Sequence, residues 1–249
     1  MPGTTNRLLW IDCEMTGLDH ERQTLVEIAV ILTDEDLNVV AEGPNIVINQ
    51  PEKVLNNMEG WPRRTFTKNG LLNRIPPLLH YFPVQILDFL RRESVNKTCP
   101  LAGNSVHFDR RFIMKYMPLL EKQLNYRIVD VSTIEELAAR WYPNELKRAP
   151  FKKGTHRALD DIRESIEELR YYRSSIFQHV STIKEVTLRR PLSKSKWVTS
   201  TGNKFQLAAR WYPNEFKKAP LKKRTHRALD DIRESIEELR YYRSSIFQR

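Results

Sequence analysis

The sequence predicts an α/β domain in which a mixed β-sheet is flanked by helices. Two observations support this prediction: strand-like runs follow one another from the N-terminus, and helix-like segments dominate the chain after them. The chain has 249 residues, of which 40% are hydrophobic, so it can bury a substantial core. We therefore expect one large domain, or one domain plus an appendage.

The strands are predicted from apolar runs that are bounded by turn residues. Such runs occupy residues 8–12, 24–33, 38–41, 45–49 and 127–131. The third and fourth runs are predicted as separate strands, because Glu42, Gly43 and Pro44 stand between them.

The helices are predicted from apolar residues at three- and four-residue spacing. The clearest one covers residues 159–172, where the residues on one face are Leu159, Ile162, Ile166 and Leu169. Further helices are predicted at residues 86–92, 109–116, 119–124 and 133–140. Residues 75–83 contain three prolines, so we expect no regular helix there.

The composition excludes several classes of protein. Cys13 and Cys99 give neither a disulfide framework nor a zinc-binding spacing, which fits a reducing compartment. The sequence contains no apolar run of about 18 residues, so we expect no membrane span. The first residues lack an apolar signal core, and the strand-like run from Leu8 leaves little room for a transit peptide.

The net charge of +10 is concentrated at one end of the chain. Residues 1–178 contain 24 basic and 24 acidic residues, so the whole excess lies in residues 179–249. A role in binding nucleic acid must therefore rest on specific residues of the main body, since its overall charge gives no support.

The chain contains a near-exact internal duplication. Residues 137–178 recur at 207–248 with four differences, which are Leu146/Phe216, Arg148/Lys218, Phe151/Leu221 and Gly154/Arg224. The segment between the copies is polar, basic and without periodicity. We therefore predict a main domain at residues 7–178, a basic linker at 179–206 and an incomplete copy at 207–249.

The second copy repeats His226 and Asp231 but has no Asp-x-Glu strand, so we expect it to form no complete site of its own. Three interpretations stay open: a passive helical appendage, a segment that exchanges with the first copy, and an artefact of gene assembly. Gly154 in the first copy favours that copy as the working one, because a flexible loop accepts glycine easily.

Two carboxylates stand at the end of the first apolar run. In a strand, residues i and i+2 point to the same face, so Asp12 and Glu14 are presented together. Two like charges at that distance are unfavourable unless a cation lies between them, and hard oxygen ligands suit magnesium or manganese. Taken alone, the pair is also typical of an acidic strand end that meets solvent.

Three further residues complete a candidate site. Asp109 opens a predicted helix, where an acidic residue is common for electrostatic reasons alone. His156 and Asp161 are five residues apart, or about 500° of helix, so they cannot share a helix face. We therefore expect His156 on the approach loop and Asp161 on the first turn, although a lone histidine is usually structural.

As a set, these residues resemble those of the DEDDh group of DnaQ-like exonucleases, which have a ribonuclease H-like fold. Their order and spacing agree with that group. Within it, the sequence is similar to the oligoribonuclease family over nearly all of residues 7–178. The motifs that support this resemblance are WIDCEMTGL at residues 10–18, GNS at 103–105, DRRF at 109–112, KYMP at 115–118, DVST at 130–133 and HRALDDIRES at 156–165.

The resemblance implies a five-stranded mixed sheet and a two-metal mechanism. Two Mg²⁺ or Mn²⁺ ions, roughly 4 Å apart, would be held by Asp12, Glu14, Asp109 and Asp161. His156 would act as the general base toward the attacking water. The implied activity is 3′-to-5′ hydrolysis of very short RNA, dinucleotides included, to nucleoside 5′-monophosphates.

The resemblance also implies how a short substrate is recognised. Leu18 would separate the two bases, and Trp61 would stack on one of them. Tyr126 and Arg127 match a pair that reaches across a homodimer to the 5′ nucleotide, and Ser105 lies where a small polar residue approaches that end. Family members occur in the cytoplasm and in mitochondria, so we expect a cytoplasmic location, with the mitochondrion as the second option.

Two features depart from the family pattern. Phe66 stands where the family usually has a histidine near the 5′ phosphate, and prolines interrupt a region that is usually a regular helix. Two other functions therefore stay open: a DEDDh exonuclease that acts on longer RNA or DNA ends, and an inactive protein that binds short oligonucleotides. The paired substrate contacts argue against the first, and the complete set of five catalytic residues argues against the second.

Overall fold

The computed structural model describes residues 7–58, 60–74, 82–176, 211–220 and 228–246. The chain divides into two compact units, Met1–Arg170 and Tyr171–Arg249, and the boundary falls within one long helix, Ala158–Ser175. The predicted linker at residues 179–206 lies outside the described residues.

The first unit is built on a five-stranded mixed sheet. Its strands are β1 (Leu8–Met15), β2 (Leu25–Thr33), β3 (Val39–Val47), β4 (Leu101–Gly103) and β5 (Ile128–Asp130). The spatial order is β3-β2-β1-β4-β5. Strand β2 is antiparallel to β1 and β3, whereas β4 is parallel to β1 and β5. The predicted fold class, a ribonuclease H-like mixed sheet with flanking helices, is therefore confirmed.

Short helices alternate with longer ones along the chain. Those described in the first unit are α1 (Glu52–Asn56), α2 (Gly60–Lys68), a 3₁₀ turn (Leu72–Arg74), α3 (Phe82–Arg92), α4 (His107–Tyr116), α5 (Pro118–Glu121), α6 (Val131–Trp141), α7 (Pro143–Leu146) and the beginning of α8 (Ala158–Ser175). The second unit contains α9 (Pro213–Lys218) and α10 (Ala228–Ser245). Among the described residues, no helix is long and apolar enough to cross a membrane.

The predicted third and fourth strands are one strand, β3, so their separation was wrong. Pro44 is tolerated within β3 because this strand lies at the edge of the sheet, where the missing N–H costs no ladder hydrogen bond. The register shifts between Ala29 and Ile31 of β2, opposite this point. Gly43 allows close packing at this point, since an added Cβ would lie only 3.0 Å from the Phe89 ring and from the Val30 carbonyl oxygen.

Strand β4 was not predicted, because it has three residues and too short an apolar run to be recognised. It pairs with β1 through Leu9↔Leu101 and Trp10↔Ala102. Gly103 lets the two elements approach closely, since an added Cβ would lie 3.1 Å from the Ile11 carbonyl oxygen. The sheet therefore has the expected five strands, but two predicted strands form β3 and the unpredicted β4 is the additional strand.

The predicted helices are present, with some boundaries displaced. Helix α3 begins at Phe82, four residues earlier than expected, and Pro83 fits its first turn because no intrahelical bond is lost there. Helix α5 ends at Glu121, three residues before the predicted end. Of the proline-rich region, residues 75–81 lie outside the described part of the chain.

Alternation along β1 determines which side of the sheet carries the acidic residues. Leu9, Ile11 and Cys13 point into a buried cluster with apolar residues of α3 and α4. Asp12 and Glu14 therefore point to the opposite face. Strand β2 is buried along its whole length, as is typical of a strand covered on both faces.

The two copies of the long helix differ in burial although α8 and α10 have the same 18 residues. On α8, the predicted apolar face is buried at Ile162, Ile166 and Leu169. On α10, the equivalents of the two isoleucines, Ile232 and Ile236, are exposed. At these two positions the same amphipathic sequence is therefore covered in the first copy and exposed in the second, whereas Tyr242 and Ile246, further along the second copy, are buried.

Candidate active site

Three elements bring four carboxylates together at one end of β1. Asp12 and Glu14 lie on that strand, Asp109 in the first turn of α4, and Asp161 in the first turn of α8. The Oδ1 atom of Asp109 accepts a hydrogen bond of 2.8 Å from the backbone N–H of Cys13. This bond fixes the start of α4 to β1, between the two carboxylates of the strand.

Burial raises the pKa of all four carboxyl groups, and nearby negative charges add to this effect. The pKa of Asp12 lies well above its usual range, because of burial first and then of the charges of Asp109 and Glu14. Burial is also the largest cause at the other three, where the pKa rises to about 9 for Glu14, about 8 for Asp109 and about 6 for Asp161. Ionised carboxylates are thus unfavourable here unless a cation compensates them.

The arrangement provides ligand atoms at distances that suit a metal ion. One atom each from Glu14, His156 and Asp161 lie within 4.8 Å of one another. Carboxylate oxygens are the ligands that hard divalent cations prefer, and a neutral imidazole can ligate an ion or accept a proton beside it. The site is therefore suited to a divalent cation, with His156 at its edge.

His156 lies on the loop before α8 and Asp161 on the first turn, as the five-residue spacing predicted. The backbone φ of His156 is +50°, in the left-handed region that residues other than glycine rarely adopt. Gly154, two residues earlier, has a φ of +61°. The loop is therefore bent sharply where it presents the imidazole.

Trp61 is the predicted substrate residue that lies next to the acidic cluster. Its ring is 4.9 Å from the His156 ring between centroids, at an interplanar angle of 85°. The indole is nevertheless 54% exposed, so part of its surface is available to a base.

Leu18 lies on the loop that follows β1 and is 65% exposed. The ammonium group of Lys115 holds this loop by donating to the carbonyl oxygens of His20 and Glu21, at 2.8 Å each. The Tyr116 hydroxyl donates to the Gln23 carbonyl at 2.6 Å. The helix that carries Asp109 thus also positions the loop of Leu18.

Tyr126 and Arg127 lie at the other end of the parallel strands. Leu9, Leu101 and Ile128 share one level across β1, β4 and β5. Asp12 is three residues beyond that level and Tyr126 two residues before it, a separation of about 16 Å along the strands. The two residues form a local pair, in which the Arg127 Nε donates to the Tyr126 hydroxyl at 3.0 Å. The structure therefore does not bring them to the acidic cluster of their own chain.

Ser105 follows β4 and belongs to a polar network. Its N–H donates to the Asp130 Oδ1 at 2.9 Å, and its hydroxyl oxygen lies 3.1 Å from that of Ser132. Asn104 extends the network to α8 by donating to the Ser165 hydroxyl oxygen at 2.7 Å. Ser105 is thus linked to the helix of Asp161 through its neighbours.

Phe66 does not face the site. It is fully buried on α2 and packs with Val26, Met58 and Leu71. A side chain in this position stabilises the core and cannot contact a phosphate. The position at which the family usually has a histidine therefore faces the core in this structure.

Comparison with known proteins identifies the family. Residues 9–169 match the family model described as exonuclease. A protein of Caenorhabditis elegans named probable oligoribonuclease is 54% identical over 174 residues, which cover 69% of this chain and 89% of that protein. The chain belongs to the oligoribonuclease family of exonucleases.

Other oligoribonucleases show similar agreement. The human protein named mitochondrial oligoribonuclease is 49% identical over 175 residues, covering 69% of this chain and 74% of its own length. The oligoribonuclease of Aeromonas hydrophila is 50% identical over 182 residues, which cover 72% of this chain and 99% of that protein. The family model ends at residue 169, so it does not include the second copy.

Solved structures with the same fold include Escherichia coli exonuclease I. Its complex with a 5cy-dT13 oligonucleotide gives a TM-score of 0.53 at 14% identity, and a zinc-bound complex with single-stranded DNA gives 0.51 at 14%. In both, the match covers 74% of this chain and 45% of the other. This chain spans less than half the length of those structures, and the likeness shows the shared fold.

One buried ion pair of this oligoribonuclease-like site was missed from the sequence. Glu27 of β2 is fully buried, and the guanidinium of Arg157 donates to it at 2.7 Å. The same carboxylate accepts the Ala158 N–H at 3.2 Å, where α8 begins. Glu27 is the single charge within the apolar run of β2, and that was a usable signal, since a buried charge requires a partner.

Proposed function

We propose that this protein is a 3′-to-5′ exoribonuclease that hydrolyses very short RNA, including dinucleotides, to nucleoside 5′-monophosphates. The observation that supports this most is the convergence of four carboxylates and one histidine from separate elements, in a chain of the oligoribonuclease family. The relatives' names describe oligoribonucleases, and their identity of about one half extends over 174 to 182 residues.

The proposed cofactors are two divalent ions, Mg²⁺ or Mn²⁺, held by Asp12, Glu14, Asp109 and Asp161. The donor set fits this assignment, because all four residues supply hard oxygen atoms and all four have a raised pKa when no cation compensates them. When bound, such ions lower the pKa of a water molecule and stabilise the charge that develops on the phosphate and on the leaving oxygen.

His156 is the proposed general base. Its imidazole accepts a proton from the attacking water as the new bond between oxygen and phosphorus forms. The bond between phosphorus and the 3′ oxygen of the preceding nucleotide breaks, and that oxygen takes a proton from solvent water. The products are a nucleoside 5′-monophosphate and an RNA that is one nucleotide shorter.

Two exposed apolar side chains are proposed to hold the bases. Trp61 would stack on the base of the 3′ nucleotide beside His156, an interaction worth about 1–3 kcal/mol. Leu18 would insert between this base and the next one. These roles are supported by the contacts that fix both residues: Trp61 packs against His156, and Lys115 holds the loop of Leu18.

The 5′ end of the substrate is proposed to meet a second copy of the chain. Tyr126 is 71% exposed and lies at the far end of the sheet from its own acidic cluster, which supports a role in a partner's site. In a homodimer, Tyr126 and Arg127 would stack on and neutralise the 5′ nucleotide, while Ser105 would donate a hydrogen bond to it. A location in the cytoplasm, or in mitochondria as for the human relative, belongs to the same proposal.

The proposal is tested with end-labelled RNA of two, five and twenty nucleotides, incubated with purified protein and either Mg²⁺ or EDTA. We expect rapid Mg²⁺-dependent loss of the dinucleotide and release of mononucleotides. Equal or faster hydrolysis of the 20-mer would point instead to an exonuclease of longer ends. Tight binding of the dinucleotide without turnover would indicate an inactive binding protein.

A further inference from the structure

The loop that carries His156 is fixed from two sides. On one side, Glu27 of β2 receives hydrogen bonds from the Arg157 guanidinium and from the Ala158 N–H. On the other side, the side chain of Asn69 reaches the loop from the end of α2. A histidine with a φ of +50° needs such support, because this backbone region is sparsely populated.

Asn69 holds the loop through its carbonyl groups. Its side-chain amide nitrogen donates to the carbonyl oxygen of His156 at 2.7 Å and to that of Thr155 at 3.0 Å. Its Oδ1 atom accepts the Leu71 N–H at 3.0 Å, which fixes the orientation of the amide group. All three contacts are made by one half-buried side chain, so they fix the position of the loop relative to the end of α2.

The same helix carries Trp61, whose ring packs edge-on against the His156 imidazole. The histidine therefore contacts α2 through its ring on Trp61, and the residue directly after α2 through its carbonyl on Asn69. Trp61 can restrict the tilt of the imidazole, whereas Asn69 bonds directly to the backbone of His156, from which the ring projects. A displacement of about 1 Å at a reacting group can lower the rate roughly 100-fold.

We propose that Asn69 is a positioning residue for His156, which holds the general base at its place beside the acidic cluster and links it to the base-stacking helix. This inference rests on the proposed function, since it assigns a role to a residue that acts through His156. The side-chain hydrogen bonds given for Asn69 go to the loop and to Leu71, so we expect its effect on the rate of the chemical step rather than on the binding of RNA.

The first variant is Asn69→Asp, which keeps the size of the side chain and its acceptor for Leu71 but cannot donate to the two carbonyl groups. Asn69→Ala removes the same bonds without adding a charge. For both we expect kcat on a dinucleotide to fall about 10- to 100-fold, with KM nearly unchanged. The control is Asn96→Asp, because Asn96 is exposed and its side-chain Oδ1 accepts hydrogen bonds from Thr98, which an aspartate can also accept. Its activity should equal that of the original chain.

The decisive test repeats Asn69→Ala in a His156→Ala background, under single-turnover conditions with enzyme in excess. If Asn69 acts through His156, adding Asn69→Ala to the His156→Ala variant should lower the rate almost no further. An equal fold-loss in both backgrounds, or an unchanged kcat with a raised KM, would overturn the inference. Failure of the proposed function is recognised separately, because the unsubstituted protein would then show no Mg²⁺-dependent turnover of the dinucleotide.

The thermal shift on adding Mg²⁺ provides a readout that does not depend on activity. The side-chain hydrogen bonds of Asn69 go to Thr155, His156 and Leu71 rather than to the four carboxylates, so the Asn69 variants should keep the full Mg²⁺-induced rise in Tm. If the Mg²⁺-induced rise in Tm were lost, the substitution would have disrupted the carboxylates. That result would overturn the inference that Asn69 acts only by positioning His156.

Discussion

At the scale of single residues, burial changes the chemistry of Asp12 more than its sequence neighbours do. An aspartate at a strand end is ordinary, and the sequence alone left open whether it meets solvent. In the structure its pKa is raised well above the usual range, first by burial and then by Asp109 and Glu14. The spacing of Asp12 and Glu14 could be predicted, whereas the burial depends on α4 and α8, which arrive from distant parts of the chain.

Asp12→Asn should make the metal-free protein more stable while it removes activity. A raised pKa means that the ionised carboxylate is less favourable in the folded than in the unfolded chain, so a neutral amide relieves this cost at neutral pH. We expect a higher Tm in EDTA, a smaller Tm rise on adding Mg²⁺ and loss of Mg²⁺-dependent turnover. Differential scanning fluorimetry and the dinucleotide assay measure these effects.

The matched control for this prediction is Glu52→Gln, which neutralises an exposed carboxylate in the first turn of α1. It should change neither the Tm in EDTA nor the response to Mg²⁺. A lower Tm for Asp12→Asn in EDTA would contradict the account of an uncompensated acidic cluster.

At the scale of elements, the contact between β2 and α8 depends on one residue that the strand pattern does not explain. Residues of α8 could be assigned to a buried face from their spacing, and three of the four predicted positions are fully buried, with Leu159 half-buried. The partner of Glu27 could not be predicted, because Arg157 is 130 residues away in the chain. Local pattern thus predicts the elements, while the pairing between them depends on tertiary structure.

Glu27→Gln should destabilise the fold more than the same change at Glu42. The side chain of Glu27 is 0% exposed and that of Arg157 13%, so removal of the charge leaves a buried guanidinium without its counter-ion. We expect a loss of about 3 kcal/mol in the free energy of unfolding, measured by urea denaturation.

Glu42→Gln provides the comparison because Glu42 pairs with Arg163 of the same helix at 3.0 Å, with both side chains about half exposed. Exposed pairs of this kind contribute about 0–1 kcal/mol. Equal losses for the two variants would show that the Glu27–Arg157 pair adds no more than a surface pair.

At the scale of the whole molecule, the duplication separates what a sequence encodes locally from what its surroundings determine. Helices α8 and α10 have the same residues and both form, so helix formation follows from local pattern. Their burial differs, since Ile162 is 1% exposed and Ile232 is 56% exposed. No reading of either segment alone could have predicted this difference, because it depends on what covers the apolar face.

The same substitution in the two copies should therefore have different costs. Ile162→Ala opens a cavity in the core and should lower the free energy of unfolding by about 2–5 kcal/mol. Ile232→Ala removes an exposed side chain and should stay within about 0.5 kcal/mol of the original chain. Urea denaturation followed by circular dichroism measures both, and similar losses would show that the apolar face of α10 is covered in solution.

The two copies should also differ in catalysis, and this decides which of them belongs to the working enzyme. Asp161 lies within 4.8 Å of the ligand atoms of Glu14 and His156, whereas Asp231 is exposed on α10. The copied histidine, His226, lies outside the described residues. We therefore expect Asp161→Asn to lose Mg²⁺-dependent turnover of the dinucleotide and Asp231→Asn to keep it. Because the 18 residues of the two helices are identical, each variant is the control for the other. Loss of activity in Asp231→Asn, with activity retained in Asp161→Asn, would mean that the second copy replaces the first in the site.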